Sequence, residues 1–341
     1  MPARVAVIGS GSFGTALAIS LSEGGNHVHL WARREEAADV MRSTRRNPTY
    51  LPDAHICDNI LITSDLETCV KDADIWVVAT PSQAVRQVAE QLEPLSHEDL
   101  IVVSVAKGIE NGTLLTTSCV LRDTLPRVPL KHIAVLYGPS HAEEVAKRVP
   151  TAVVAAAYDV ATAERIQAVF MTPSLRVYAN SDVRGVEIAG SVKNILAIAA
   201  GITDGVGFGD NAKAALLTRG IAEIRRLGMA MGANPRTFAG LAGIGDLVVT
   251  CMSGLSRNRY LGEQIGRGLT LEQIESEMSM VAEGVRTTAS VHDLAKKLDV
   301  EMPITEAVYC ILFKGKAPLE AVRDLMMRSA KHEDWLACEE E

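Results

Sequence analysis

The sequence predicts an α/β protein with an N-terminal doubly wound sheet over residues 1–185 and an all-helical C-terminal unit over residues 186–341. Three observations carry this reading. Short apolar, strand-like runs alternate with helical stretches through the first half. A glycine-rich turn directly follows the first of those runs. Strand signals then stop near residue 186, while helical patterns continue almost to the end.

The segment Arg4-Val-Ala-Val-Ile-Gly9 has the pattern of a buried strand. It leads into Gly9-Ser-Gly11-Ser12-Phe13-Gly14, a helix-like stretch Thr15–Glu23 and a second strand His27–Trp31. G-x-G-x-x-G indicates dinucleotide binding only in this strand–turn–helix–strand context. Gly9 allows the tight turn, Gly11 lets backbone approach a pyrophosphate, and Gly14 permits close packing of helix on strand. The positive N-terminus of the helix then receives the phosphate charge. A Rossmann-type unit is therefore expected. At the end of the second strand an acid would bind a ribose 2′-hydroxyl, but Arg33-Arg34 stands there. Guanidinium forks suit a 2′-phosphate, which favours NADPH over NADH. The competing reading pairs both arginines with Glu35 and Glu36 at the surface.

Further strands are expected at Ile60–Ser64, Ile75–Ala79, Leu100–Val105, Ile133–Leu136, Ala152–Ala156 and Arg176–Tyr178, with helices at Gln83–Leu92 and Leu114–Arg122 between them. Ligands of such sheets bind at the carboxyl ends of the strands. Two of those ends carry marked residues. One is Lys107, in Val105-Ala-Lys107-Gly108; the other is the turn Gly138-Pro-Ser140-His141-Ala142. A lysine after a strand is often solvated punctuation. On the face expected to hold a cofactor, function is the better reading.

In the second half, helical patterns run through Ile188–Ile202, Lys213–Met231, Arg236–Leu241, Leu271–Met278, Thr287–Leu298, Ile304–Phe313 and Leu319–Met327. The first of these is apolar on every face except for Lys193. A helix apolar all round is buried, so its one cation is expected to be buried too. Such a charge needs a partner, a substrate or a shifted pKa unless it snorkels to water. Asp246 is an acid embedded among glycines and valines in Gly243-Ile-Gly245-Asp246-Leu-Val-Val-Thr250. Ser256 fits the N-cap of a further helix, Tyr260–Ile265, with Arg257 and Asn258 in its first turn. Basic side chains are disfavoured at the positive end of a helix, so those of Ser256-Arg257-Asn258-Arg259 point to a bound anion, most simply a phosphate.

Composition narrows the function classes. With 341 residues, 48% apolar and 22% charged, the chain suits two domains with real cores. A net charge of −8 without a basic block argues against a nucleic-acid binder. The cysteines (57, 69, 119, 251, 310 and 338) include no C-x-x-C pair, as expected of reduced thiols in a cytoplasmic protein without a metal site. No secretory signal is expected ahead of the first strand, and no run is expected to reach the length of a membrane span.

The chain closely resembles the bacterial-type NAD(P)-dependent glycerol-3-phosphate dehydrogenases from Val5 to about Arg328, leaving Asp334–Glu341 outside. The likeness rests on Gly9-Ser-Gly-Ser-Phe-Gly-Thr-Ala16, Asn47-Pro-Thr-Tyr-Leu-Pro52, Ala106-Lys-Gly108, Gly138-Pro-Ser140, Val192-Lys-Asn194, Gly245-Asp246 and Ser256-Arg-Asn-Arg259. It implies reversible hydride transfer between NAD(P)H and dihydroxyacetone phosphate, forming sn-glycerol 3-phosphate for phospholipid synthesis. By the same resemblance Lys193 is the proton donor and acceptor. Substrate contacts fall on Lys107, Gly138, Ser140, Lys193, Asp246, Ser256, Arg257 and Asn258. Cofactor contacts fall on Ser12, Phe13, Arg33, Lys107, Ala142, Arg257, Val281 and Glu283. A homodimer is plausible for such an enzyme. The rival expectations are another reductase of this build, of ketopantoate or 3-hydroxyacyl-CoA type, and a non-catalytic NADPH sensor.

Overall fold

In the computed structural model, residues 2–277, 282–330 and 332 are described. An eight-stranded sheet is formed by β1 (Arg4–Ile8), β2 (His27–Trp31), β3 (Leu61–Thr63), β4 (Ile75–Val78), β5 (Ile101–Ser104), β6 (Ile133–Tyr137), β7 (Thr151–Ala157) and β8 (Leu175–Asn180). Its spatial order is β3-β2-β1-β4-β5-β6-β7-β8. All pairs are parallel except β6 with β7. The order reverses at β1 and β4, which makes their carboxyl ends the switch point of the sheet.

The helices of the first half are α1 (Ser12–Glu23), α2 (Glu35–Thr44), α3 (Leu66–Val70), α4 (Val85–Leu92), α5 (Thr117–Thr124), α6 (Ala142–Ala146) and α7 (Val160–Phe170). Strands β1, β4 and β6 are buried along nearly their whole length, as continuous apolar runs in a covered parallel sheet should be. Only the short α6 lies between β6 and β7, too little helix to carry the chain back for a parallel return. The expected helix from Leu114 instead starts at Thr117. Leu114 takes a left-handed φ of 61°, and a bridge between Ile109 and Thr116 closes the preceding loop.

The sheet ends at Asn180, and α8 (Val183–Val206) begins after an Asp182 N-cap that accepts from Gly185 N at 2.9 Å. It is followed by α9 (Asp210–Ala230), α10 (Asp246–Met252), α11 (Arg257–Gly266), α12 (Leu271–Glu277), α13 (Glu283–Lys297), α14 (Pro303–Lys314) and α15 (Pro318–Met326). The stretch expected as a helix over Arg236–Leu241 is instead a 3₁₀ turn, Pro235–Ala239, followed by a π-helical turn, Leu241–Gly245.

Contrary to the expectation of no membrane-length run, α8 is long and apolar enough to cross a bilayer. Its apolar window is wholly buried within the protein. It packs against α9, α10, α11 and α13, so it serves as the core helix of this half. Glycines let α11 come very close: a Cβ on Gly201 would lie 1.9 Å from the Arg259 carbonyl oxygen, and one on Gly262 would lie 2.0 Å from that of Ile198. This seam sets the start of α11 beside the middle of α8.

Candidate active site

The turn after β1 needs two of its glycines for its own packing. Gly9 has φ +124°, and a Cβ there would meet the Ala79 carbonyl oxygen at 2.6 Å. One on Gly14 would meet the Gly9 carbonyl oxygen at 2.0 Å. Gly11, in contrast, faces open space. It is the N-cap of α1, with no side-chain cap and no acid in the first turn. Bare backbone at the positive end of a helix fits a dinucleotide pyrophosphate.

The adjoining cleft is walled by Ser12, Phe13, Lys107, Ser140, His141, Ala142, Lys193, Asn194, Thr250, Ser256, Arg257, Asn258 and Glu283, among others. The sheet supplies the first of these from strand-end turns, and the helical half supplies the rest from α8, α10, α11 and α13. Gly138, with φ +146°, stands behind Ser140, whose hydroxyl donates to the Gly138 carbonyl at 3.0 Å. Asp246 lies beneath the wall, 1% exposed.

Asp246 joins the two lysines. Lys107 Nζ donates to Asp246 Oδ2 at 2.8 Å and to the Gly138 carbonyl at 3.0 Å. Lys193 Nζ donates to Asp246 Oδ1 and, at 2.7 Å, to Thr250 Oγ1. Lys193 does not snorkel; it is 5% exposed. Burial lowers its pKa from 10.5 to about 8, with Lys107 pushing the same way and Asp246 opposing. Burial alone would raise the Asp246 carboxyl, but the two ammonium groups more than reverse this and hold it below the ordinary range. The cluster therefore has one anion between two ammonium groups, one of which is poised to lose its proton near neutrality.

The end of the cleft where the sequence pointed to an anion is built on α11. Ser256 caps it, accepting from Arg259 N at 3.2 Å. The structure separates the two arginines: Arg259 turns away to pair with Asp204 at 2.7 Å, while Arg257 lines the cleft. Asn258 Oδ1 accepts from Gly284 N at 3.0 Å, tying the clamp to α13. Glu283 Oε1 accepts from Ser82 N at 3.1 Å, joining α13 to the turn after β4. Burial raises the Glu283 carboxyl.

Arg33 is exposed just beyond β2, off the cleft wall. Of the acids in the competing surface reading, Glu35 pairs with Arg42, and no ion pair among the described residues joins Arg33 or Arg34 to Glu35 or Glu36. Val281 lies outside the described residues. Sequence reasoning passed over Thr250, Asn194 and His141 as site residues. Thr250 carried a signal, since it stands four residues after Asp246, on the same helix face.

A glycine-turn cradle facing a buried lysine of lowered pKa fits an NAD(P)-dependent dehydrogenase. Comparison with known proteins makes this specific. Residues 4–163 match the N-terminal profile of the NAD-dependent glycerol-3-phosphate dehydrogenases, and residues 182–323 match the C-terminal profile. The chain belongs to the NAD-dependent glycerol-3-phosphate dehydrogenase family. It is 62% identical to glycerol-3-phosphate dehydrogenase [NAD(P)+] 2 of Salinibacter ruber over 98% of each chain. It is 53% identical to the Chlorobium limicola glycerol-3-phosphate dehydrogenase [NAD(P)+], over 97% of this chain and 99% of that one. The crystal structure of the Coxiella burnetii glycerol-3-phosphate dehydrogenase superposes with a TM-score of 0.92 at 37% identity, covering 96% of this chain and 99% of that one.

Proposed function

We propose that this protein catalyses the reversible NAD(P)H-dependent reduction of dihydroxyacetone phosphate to sn-glycerol 3-phosphate, with Lys193 as proton donor and acceptor. The observation that carries the reading is Lys193 itself, buried at the cleft between Asp246 and Thr250 with its pKa lowered to about 8. Residues 1–185 act as the dinucleotide-binding unit and residues 186–341 as the substrate unit.

The dinucleotide, when bound, supplies or accepts the hydride. Gly9, Gly11, Ser12, Phe13 and Gly14 would hold it on the sheet side, with Ala142, Arg257 and Glu283 opposite. Ser256, Arg257 and Asn258 grip the phosphate, using the positive end of α11 as well as side-chain donors. Ser140, Gly138 and Lys107 place the carbonyl. Lys193 then passes a proton to the alkoxide as it forms, and Asp246 restrains the resulting free amine. Arg33, past β2 and without a carboxylate partner among the described ion pairs, supports a preference for NADPH over NADH. The product suits phospholipid synthesis in a cytoplasmic setting.

Oxidation of NADPH and NADH is to be followed with dihydroxyacetone phosphate, unphosphorylated dihydroxyacetone and ketopantoate. Rapid oxidation with the phosphorylated ketone alone is expected. Turnover of ketopantoate would favour the rival reductase. Tight NADPH binding with no oxidation by any of the three would favour a sensor.

A further inference from the structure

Among the residues that touch Lys107, one holds it from two sides and belongs to no part of the site described above. Tyr137 ends β6 and is 0% exposed. Its hydroxyl donates to the carbonyl of Ala106, which fixes the peptide that leads into Lys107. Its ring lies under the other end of the same residue, 5.7 Å from Lys107 Nζ. A cation over an aromatic face at this range is attracted by the ring quadrupole.

The tyrosine is itself immobilised. A Cβ on Gly190 of α8 would lie 2.5 Å from its ring, so the helix backbone packs directly on the ring face or edge. Its oxygen lies 3.3 Å from Thr117 Oγ1, which donates at 2.9 Å to the buried carboxylate of Glu187. Glu187 also accepts from Ser118 N at 2.7 Å. The phenol stays neutral, because burial raises its pKa well above the ordinary value.

We propose that Tyr137 is a positioning residue for Lys107, and through Lys107 for the Lys193 proton. This rests on the dehydrogenase reading given above. If Lys107 shifts away from Asp246, Lys193 loses a repelling neighbour and gains a larger share of the carboxylate, so its pKa must rise. The other titratable groups whose charge acts on Lys193 are His141, Cys251 and Glu283; of these only Glu283 also acts on the Tyr137 phenol, which is neutral, so its removal takes no charge away from the cluster.

The test is Tyr137→Phe, which keeps the ring and removes the hydroxyl, beside Tyr137→Leu, which removes both. For Tyr137→Phe, kcat/KM for dihydroxyacetone phosphate is expected to fall about tenfold, the worth of one hydrogen bond of this kind. The falling alkaline limb of ketone reduction should move to higher pH, and the Kd for NADPH should stay within about twofold by fluorescence titration. Tyr137→Leu should extend both effects. An unchanged pH limb and kcat/KM in Tyr137→Phe overturns the proposal. So does weakening of NADPH binding in parallel with turnover, which indicates general loosening. Absence of ketone reduction in the unmodified protein would instead overturn the dehydrogenase reading itself.

Discussion

Lys107 and Lys193 are held by opposite oxygens of one buried carboxylate, that of Asp246. The two lysines approach it from different halves of the fold: one lies in the turn after β5, the other within the core helix. Neither ammonium is isolated, yet the cluster keeps a net positive charge for a ketone oxygen or an anion. The desolvation penalty on Lys193 is thereby converted into acidity near neutral pH.

With Lys193 as the proposed proton donor, ketone reduction needs it protonated, so kcat/KM should fall above a pKa of about 8. Oxidation of glycerol 3-phosphate needs the free amine, so it should rise through the same value. Lys193→Met should lower both rates about 10³-fold, within the range for losing a general acid, with NADPH affinity largely intact. Steady-state pH profiles in both directions check this. Near-normal turnover in Lys193→Met would remove the residue from its role.

Arg257→Ala should raise the KM for dihydroxyacetone phosphate by about tenfold to a hundredfold, with a smaller change in kcat. In the proposed grip the phosphate is held alike in ground and transition states, so its loss is uniform binding. Unphosphorylated dihydroxyacetone, assayed beside it, should respond little. An unchanged KM for the phosphorylated ketone would place the anion site elsewhere.

Arg33→Ser should raise the KM for NADPH about tenfold and leave that for NADH nearly unchanged, because only NADPH carries a 2′-phosphate for the guanidinium. Equal effects on the two cofactors would show that Arg33 does not discriminate between them.

Gly262→Ala adds a methyl group 2.0 Å from the Ile198 carbonyl oxygen, where backbone must move to admit it. A loss of about 1–3 kcal/mol in unfolding free energy is expected, measured by urea denaturation. A fully stable variant would mean that the two helices pack less closely than described.

Local pattern made much of the fold legible. Continuous apolar runs located all eight strands, and the missing strand signal after Tyr178 located the change to helices. The reversed direction of β7 was not readable, because an apolar run looks the same in either sense. At the site, the glycine turn, Lys107, Lys193 and the Ser256 cap each announced themselves by chemistry out of keeping with their surroundings. Their assembly did not. The Lys107–Asp246 contact spans 139 residues and the Lys193–Asp246 contact 53, and no local period encodes such pairings. Arg259 is drawn off by Asp204 of α8 and Glu263 of its own helix, pairings that the motif alone does not reveal.

The glycine seam between α8 and α11 has a further consequence for how this enzyme can vary. Lys193 and the Ser256–Asn258 segment ride on two helices in backbone contact, so they behave as one rigid tool rather than two adjustable jaws. On the proposed reading, the spacing between phosphate grip and proton source is then a fixed ruler, matched to one length of substrate. Changes in cofactor choice can accumulate on the sheet side without touching that ruler. A change in substrate length cannot, since it would require the seam to be recut.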